Sequence, residues 1–341
     1  MTISVQDLRQ RPFPPALAFT AAALLVHQIG AHLPLPMLDL SRAGGQWLSG
    51  TQQVSILALG TVPWLSALLL FELASLMFPV RLTSWFTRGG HADPFSLAVV
   101  GSSLLLAALQ GYGVTEAMAH VPGLLLTTTA KVKFANVVTL VGGVALLIAT
   151  ARLIDLRGLG SGFWTLLALA FAPQFIQGLL NNLVLMREGI GNWRTLGLAV
   201  GIAFAIAGAT VAILEARNRA GLPSAAPLPL AFLLSGTLLT LPMMVAPDLI
   251  AAVVSHDFGF LALNGLKALF AIGVMAIYAR REKSWPLLTF TGALFFLLSF
   301  ADALSEVALH GRAALLSSWQ IMVVVVVAHT IYRSWLVPRA P

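Results

Sequence analysis

The chain contains no cysteine, which excludes disulfides, thiolate metal ligands and cysteine nucleophiles. Charge is scarce as well, with Asp, Glu, Lys and Arg making up only 10% of its 341 residues. No G-x-x-x-x-G-K-[ST] loop, H-E-x-x-H pair or G-x-S-x-G elbow occurs, so the common signatures of nucleotide, zinc-hydrolase and serine-hydrolase chemistry are missing. The seven His are isolated, none lying three or four residues from another, and no metal-ligand spacing results. Asp155, Asp248, Asp257 and Asp302 fall at the ends of apolar runs, where they reach water, so no catalytic pair is formed. No cofactor or metal is implied, and an enzyme ranks last among the readings.

What fills the chain instead is apolar. Hydrophobic residues make up 58% of it, and the mean hydropathy is +0.88, values of a polytopic membrane protein. The net charge of +7 comes from 20 Lys and Arg scattered singly or in pairs between apolar runs. That pattern orients loops about a membrane and does not make a nucleic-acid surface. The N-terminal stretch MTISVQDLRQRPFPP is polar and of mixed charge, without a short apolar core and a small-residue cleavage site after it. The first apolar run is therefore expected to stay as a membrane helix.

A window of about 20 residues per crossing predicts ten spans, near 13–31, 55–78, 94–112, 134–152, 162–182, 195–215, 227–246, 260–279, 286–304 and 315–333. An even number puts both termini on one side. Thirteen of the 20 Lys and Arg then fall on the terminal side, which predicts that both ends are cytoplasmic. The outer segment 32–54, with LPLPMLDLSRAGGQWLSGTQQ, is too polar to span and too apolar for a plain linker, and is expected to fold back into the protein. GLGSG at 158–162 lacks the Lys of a phosphate loop and reads as a tight turn between spans.

One span is unlike the rest. SILALGTVPWLSALLLFELASLM, 55–77, carries Gly60, Pro63, Ser66 and Glu72, none of which suits a lipid-facing anchor. Glu72 lies about two-thirds of the way through the run. An intramembrane acid faces protein interior or a water-filled cavity by default, and the alternative is a protonated or snorkelling side chain near the inner interface. Lys267, near the outer end of its own span, is placed to snorkel.

The start of this span resembles the second helix of the SecY family of protein-conducting channels, which reads Ser-Ile-Phe-Ala-Leu-Gly-Ile-Met-Pro-Tyr-Ile-Ser-Ala and then, after four mostly apolar residues, Gln-Leu. The match runs without a gap through Ser55, Ile56, Ala58, Leu59, Gly60, Pro63, Ser66 and Ala67, with Glu72 where the family has Gln. Leu33, Pro34, Leu35 and Pro36 resemble the family's Ile-Pro-Leu-Pro-Gly, which leads into the plug, with Met37 in place of the glycine. IDLRGLGSG resembles Ile-Thr-Glu-Arg-Gly-Ile-Gly-Asn-Gly at Ile154, Arg157, Gly158, Gly160 and Gly162. LPL at 228–230, followed by Gly236, resembles the start of the seventh helix, although Ala231, Leu233 and Leu239 replace its Lys, Asn and Pro. SSWQIMVVVVV resembles the tenth helix, and the motifs keep family order along nearly the whole chain.

The resemblance implies an all-α polytopic membrane fold of ten helices in two inverted five-helix halves, here 13–183 and 195–334 after a cytoplasmic segment 1–12. It implies a constriction ring of Thr61, Leu65, Phe163, Leu167, Leu241 and Ile321, where Thr61 and Phe163 depart from the family's usual Ile. It makes Gly60, Pro63, Ser66 and Glu72 part of a lateral gate, with Glu72 expected to face the inner half of the seventh helix, around 227–236. Residues 33–36 become the plug entry, and 32–54 a plug-like segment. The family's function implies movement or insertion of unfolded client polypeptides, a SecE-like small membrane subunit as partner, and placement in the cell inner membrane. The family's long basic loops, which dock the ribosome or the SecA motor, correspond here to EARNRAGLPSAA and YARREKSW. These are short, so contact with either partner is expected to be weak, with Arg280 and Arg281 as the cytoplasmic contact. With a chain shorter than an ordinary family member, a divergent, reduced paralogue is expected. Two alternatives stand beside the channel: a non-conducting relative that assists membrane-protein assembly, and a secondary transporter, since inverted repeats and intramembrane acids occur there too.

Overall fold

The computed structural model describes residues 13–36, 38, 55–78, 80–88, 91–121, 123–189, 193–219, 227–245, 257–282, 291–296, 298 and 318–335. The described chain is overwhelmingly helical. It divides into two compact units, Met1–Leu167 with Ile331–Pro341, and Ala168–Thr330. Among the described residues, four helices are long and apolar enough to cross a membrane, within 97–119, 130–157, 200–219 and 262–280.

In the first unit, α1 (Phe13–His32) packs on α5 (Ala130–Arg157), and α4 (Leu97–Ala119) packs on both α5 and α2 (Val62–Met77). A short helix α3 (Val80–Thr83) and a two-stranded antiparallel hairpin, β1 (Thr87–Arg88) and β2 (His91–Ala92), connect α2 to α4. Ser96 caps α4 by accepting a hydrogen bond from Val99 N at 3.3 Å. Lys133 Nζ reaches both carboxylate oxygens of Glu116, at 2.7 and 2.9 Å, across α4 and α5. Trp64 on α2 is fully buried, its Nε1–H donating to Pro94 O at 2.8 Å, with its ring edge-to-face on Phe95 and Phe163. The cation of Arg152 lies 5.0 Å from the Phe95 ring centroid.

α6 (Gly162–Leu169) runs from the first unit to the start of the second. The second unit continues with α7 (Ala172–Arg187), α8 (Trp193–Arg219), α9 (Pro227–Val245), α10 (Asp257–Glu282), helical residues at 291–296 and most of α11 (Ser318–Trp335). Within it α9 packs on α10, and the Lys267 ammonium sits over the Phe232 ring at 4.3 Å. Phe171 meets Trp319 edge-to-face at 4.8 Å, and Glu215 Oε1 pairs with His329 Nε2 at 2.9 Å.

Two expected spans are corrected. The run 55–78 is helical only from Val62, because Gly60 takes a left-handed φ of +53° and Pro63 sits in the first turn, where its missing N–H costs nothing. The run 162–182 is two helices: Pro173 has no N–H to give Leu169, and its ring would clash with that carbonyl, so the first helix stops at Leu169 and a second starts at Ala172. GLGSG does form a turn between helices, with Gly160 at φ +71° and Gly162 N donating to Asp155 Oδ1 at 2.6 Å. Most of 286–304 lies outside the described residues.

The turn before α2 is held by close packing against α5. A Cβ on Gly143 would collide with the Ile56 carbonyl oxygen, whereas one on the neighbouring Gly142 would meet nothing within 4 Å. Gly143→Ala is therefore expected to lower stability by about 1–3 kcal/mol. Gly142→Ala should be neutral or gain up to about 1 kcal/mol from helix propensity. Denaturant titration of both variants in detergent checks the opposite signs.

Candidate functional site

The sequence places its functional signal at the start of α2, and the structure builds this region from two pieces of irregular chain. After α1, Leu33 N donates to Ile29 O at 3.1 Å, ending the helix, and Leu33 O accepts from Ile56 N at 2.9 Å. Pro34 and Ser55 form an isolated antiparallel bridge, and Leu38 bridges Leu125. Of the plug-entry residues, Leu35 is buried while Leu33, Pro34 and Pro36 are exposed. The rest of the plug-like segment, Met37 and 39–54, lies outside the described residues.

From Ser55 the chain turns tightly, Ala58 N donating to Ser55 O at 3.0 Å and Gly60 N to Leu57 O at 2.8 Å. Leu57 is buried against Gly30, and Leu59 is buried toward Gly111. Thr61 O then accepts from Leu65 N at 2.8 Å and the helix is under way. Small residues let these backbones approach, and local hydrogen bonds satisfy a non-helical stretch inside an apolar protein.

Of the expected ring, Thr61, Phe163 and Leu167 are buried and Leu65 is partly exposed. The helices carrying them meet where Trp64 stacks on Phe163, at 4.7 Å between centroids. Ile321 is partly exposed on α11, and Leu241 lies in α9 with its side chain outside the described residues. Ser66 is partly exposed on α2. Arg280 is exposed near the end of α10, while the side chain of Arg281 is outside the described residues.

Glu72 faces the protein interior: its carboxylate is fully buried and bound by the hairpin that follows α2. Oε1 lies 3.0 Å from His91 Nδ1, and Oε2 accepts from Ala92 N at 2.5 Å. Ser75 Oγ donates to Glu72 O at 2.8 Å. A buried carboxylate given a backbone N–H and an imidazole has the partners that make its charge tolerable. His91 and the hairpin were missed in the sequence. Gly89-Gly90 between two short segments was the available signal, since a two-residue glycine link favours a hairpin.

No protein-family model matches the chain. Among curated proteins it is similar to the protein translocase subunit SecY of Streptomyces scabiei, 23% identical over 246 residues, covering 62% of this chain and 53% of that protein. The corresponding Escherichia coli K12 protein is 25% identical over 220 residues, covering 56% and 47%. The alignments thus span about half the length of these relatives. Among solved structures, a protein-conducting channel matches with a TM-score of 0.60 at 10% identity, over 98% of this chain and 97% of that one. Sec61 from the canine ribosome-channel complex matches with 0.58 at 13%, over the same shares. The chain is therefore an all-helical membrane protein with the fold of the protein-conducting channels. In sequence it is similar to SecY translocase subunits over roughly the 56–62% of its length that aligns.

The hairpin clamp makes a local prediction. Glu72→Leu removes the acceptor from Ala92 N, and amide exchange at Ala92 should quicken by 5–30-fold, the equivalent of about 1–2 kcal/mol. Glu72→Gln retains an acceptor oxygen and should change exchange far less. Hydrogen exchange of the full chain in detergent or nanodiscs reads the difference.

Proposed function

We propose that this protein is a SecY-type channel subunit that moves or inserts unfolded polypeptides across or into the membrane. The observation that carries the reading is the near-complete fold match, joined to the broken entry into α2 at Gly60 and Pro63. A helix that begins inside the protein, after a turn whose backbone is satisfied locally, suits a gate that lets an apolar segment pass sideways into lipid. A ring of Thr61, Leu65, Phe163, Leu167, Leu241 and Ile321 would close around the client and exclude ions by dewetting when empty. Gly60, Pro63, Ser66 and Glu72 form the first gate helix, residues 33–36 lead into the plug, and ten spans leave both termini in the cytoplasm of a cell whose inner membrane holds the protein. A SecE-like subunit is the expected clamp.

Contact with SecA or ribosomes is expected to be weak. Only residues 220–226 separate α8 from α9, and 283–290 lie between α10 and the next helical residues. Such connections, with Arg280 and Arg281, provide little of the roughly 1,000 Å² that a stable interface needs. The same shortness favours the second reading, a non-conducting relative that assists membrane-protein assembly.

The channel reading is tested by client insertion in Glu72 variants expressed at equal levels. Gln keeps an acceptor for the hairpin and occupies the family's position, so Glu72→Gln should insert clients close to the parent rate, and Glu72→Leu should slow insertion. A secondary transporter carrying protons on Glu72 would lose activity in Glu72→Gln, because an amide does not release a proton at working pH. A dead Gln variant beside a healthy Leu variant rejects the gate.

A further inference from the structure

The connection between α2 and α4 is tightly organised, yet it turns large apolar side chains outward. Met77, Phe78, Leu82 and Trp85 are 70%, 52%, 64% and 68% exposed. Their backbone frame is well bonded: Phe86 N donates to Thr83 O, Asp93 N donates to Phe86 O, and Thr87 Oγ1 donates to Thr83 O. Phe71, Trp85 and Phe86 pack edge-to-face as a trio, with Phe86 itself buried. Below them, Glu72 holds the hairpin through His91 and Ala92. An apolar patch held outward on a hydrogen-bonded frame marks a contact surface.

From these contacts we propose that Phe78, Leu82 and Trp85 form an interfacial anchor, seated in the headgroup layer of the lipid bilayer at the C-terminal end of α2. Three observations select lipid as the occupant. First, the patch continues the exposed stripe of the membrane helix itself, since Leu70, one heptad before Met77, is 57% exposed. Second, α2 has 16 residues and is about 24 Å long at 1.5 Å per residue, short of the roughly 30 Å hydrocarbon core. Because α2 starts only after the non-helical residues 55–61 within the protein, the apolar chain beyond its far end lies near the boundary. Third, the chemistry is interfacial. Trp is enriched at the headgroup level, and the Trp85 indole N–H already donates to Leu82 O at 2.9 Å, so its ring can leave water without an unpaired donor. Arg81 and Arg88 flank the aromatic residues in the sequence, and Arg88, paired with Asp93 at 3.0 Å, is exposed at the same edge.

This anchor extends beyond the channel reading, because it requires only that the chain sit in a membrane. Through the Glu72 clamp it fixes the C-terminal end of α2 relative to the lipid surface. The cysteine-free sequence permits nitroxide labelling at Leu82→Cys and Trp85→Cys in the full chain, reconstituted in phosphatidylcholine and phosphatidylglycerol vesicles. The measurement is the ratio of collisions with oxygen to collisions with a water-soluble nickel chelate. Leu105→Cys, on an exposed face of α4, provides the lipid reference, and His120→Cys, just past its end, the aqueous one. The ratio at 82 and 85 should exceed that at 120 several-fold and stay at or below that at 105. Leu82→Cys leaves the aromatic trio intact, so its reading decides the matter if Trp85→Cys perturbs the fold. Water-like ratios at 82 overturn the proposal, as does a label that leaves water only when a soluble protein partner is added. No client is needed, so failure here is distinct from failure of the channel.

Discussion

Backbone N–H and C=O groups inside an apolar protein must find partners within it, and the region before α2 is organised around that requirement. Seven residues, 55–61, run through the interior of the first unit without forming a helix. Polar groups here are met by a short antiparallel bridge to Pro34, by Leu33 O, and by turn bonds that run on into the first turn of α2. Only a glycine at 143 allows α5 close enough to cover the Ile56 carbonyl. The position at which α2 begins therefore depends on two glycines and a proline. An ordinary membrane helix has no such need.

Charge obeys a related constraint. A carboxylate two-thirds along an apolar run is costly unless something binds it, and here the binding comes from the chain immediately after the helix. The hairpin brings an imidazole and a backbone N–H to Glu72, while Arg88 pairs with Asp93 on its exposed side at 3.0 Å. The acid thus joins α2 to its own following connection. Trp85 and Leu82 are carried on that same connection, with Trp85 packed on Phe71 of α2.

Much of this was legible in the sequence. Long apolar runs marked an all-helical membrane chain, in which four of the described helices are long and apolar enough to cross, and Gly60 and Pro63 marked the unusual start of α2. Two features were hidden for physical reasons. The break between α6 and α7 occurs inside one apolar stretch, where a hydropathy window sees no change and only Pro173 signals the stop. The hairpin consists of two-residue strands, too short for any alternation of polar and apolar residues to show, so Gly89-Gly90 was its lone local sign. The partner of Glu72 was hidden for another reason. A buried acid announces that it needs a donor, but His91 lies 19 residues away, and only the folded hairpin brings the two together. The proposed ring would be non-local in the same sense. Sequence motifs nominate its members one by one, and no spacing within a single helix defines a closed circle.

The central claim is that the start of α2 and the start of α6 border the path of a moving polypeptide. The direct measurement is photocrosslinking from single sites in this chain to a client arrested partway through the membrane. Probes replacing Leu65 and Leu167 should crosslink to the arrested client, while a probe at Leu105, exposed on α4, should crosslink to lipid and leave the client untouched. Crosslinks to the client from 105 alone, or from none of the three sites while the client crosses the membrane through this protein, would contradict the account.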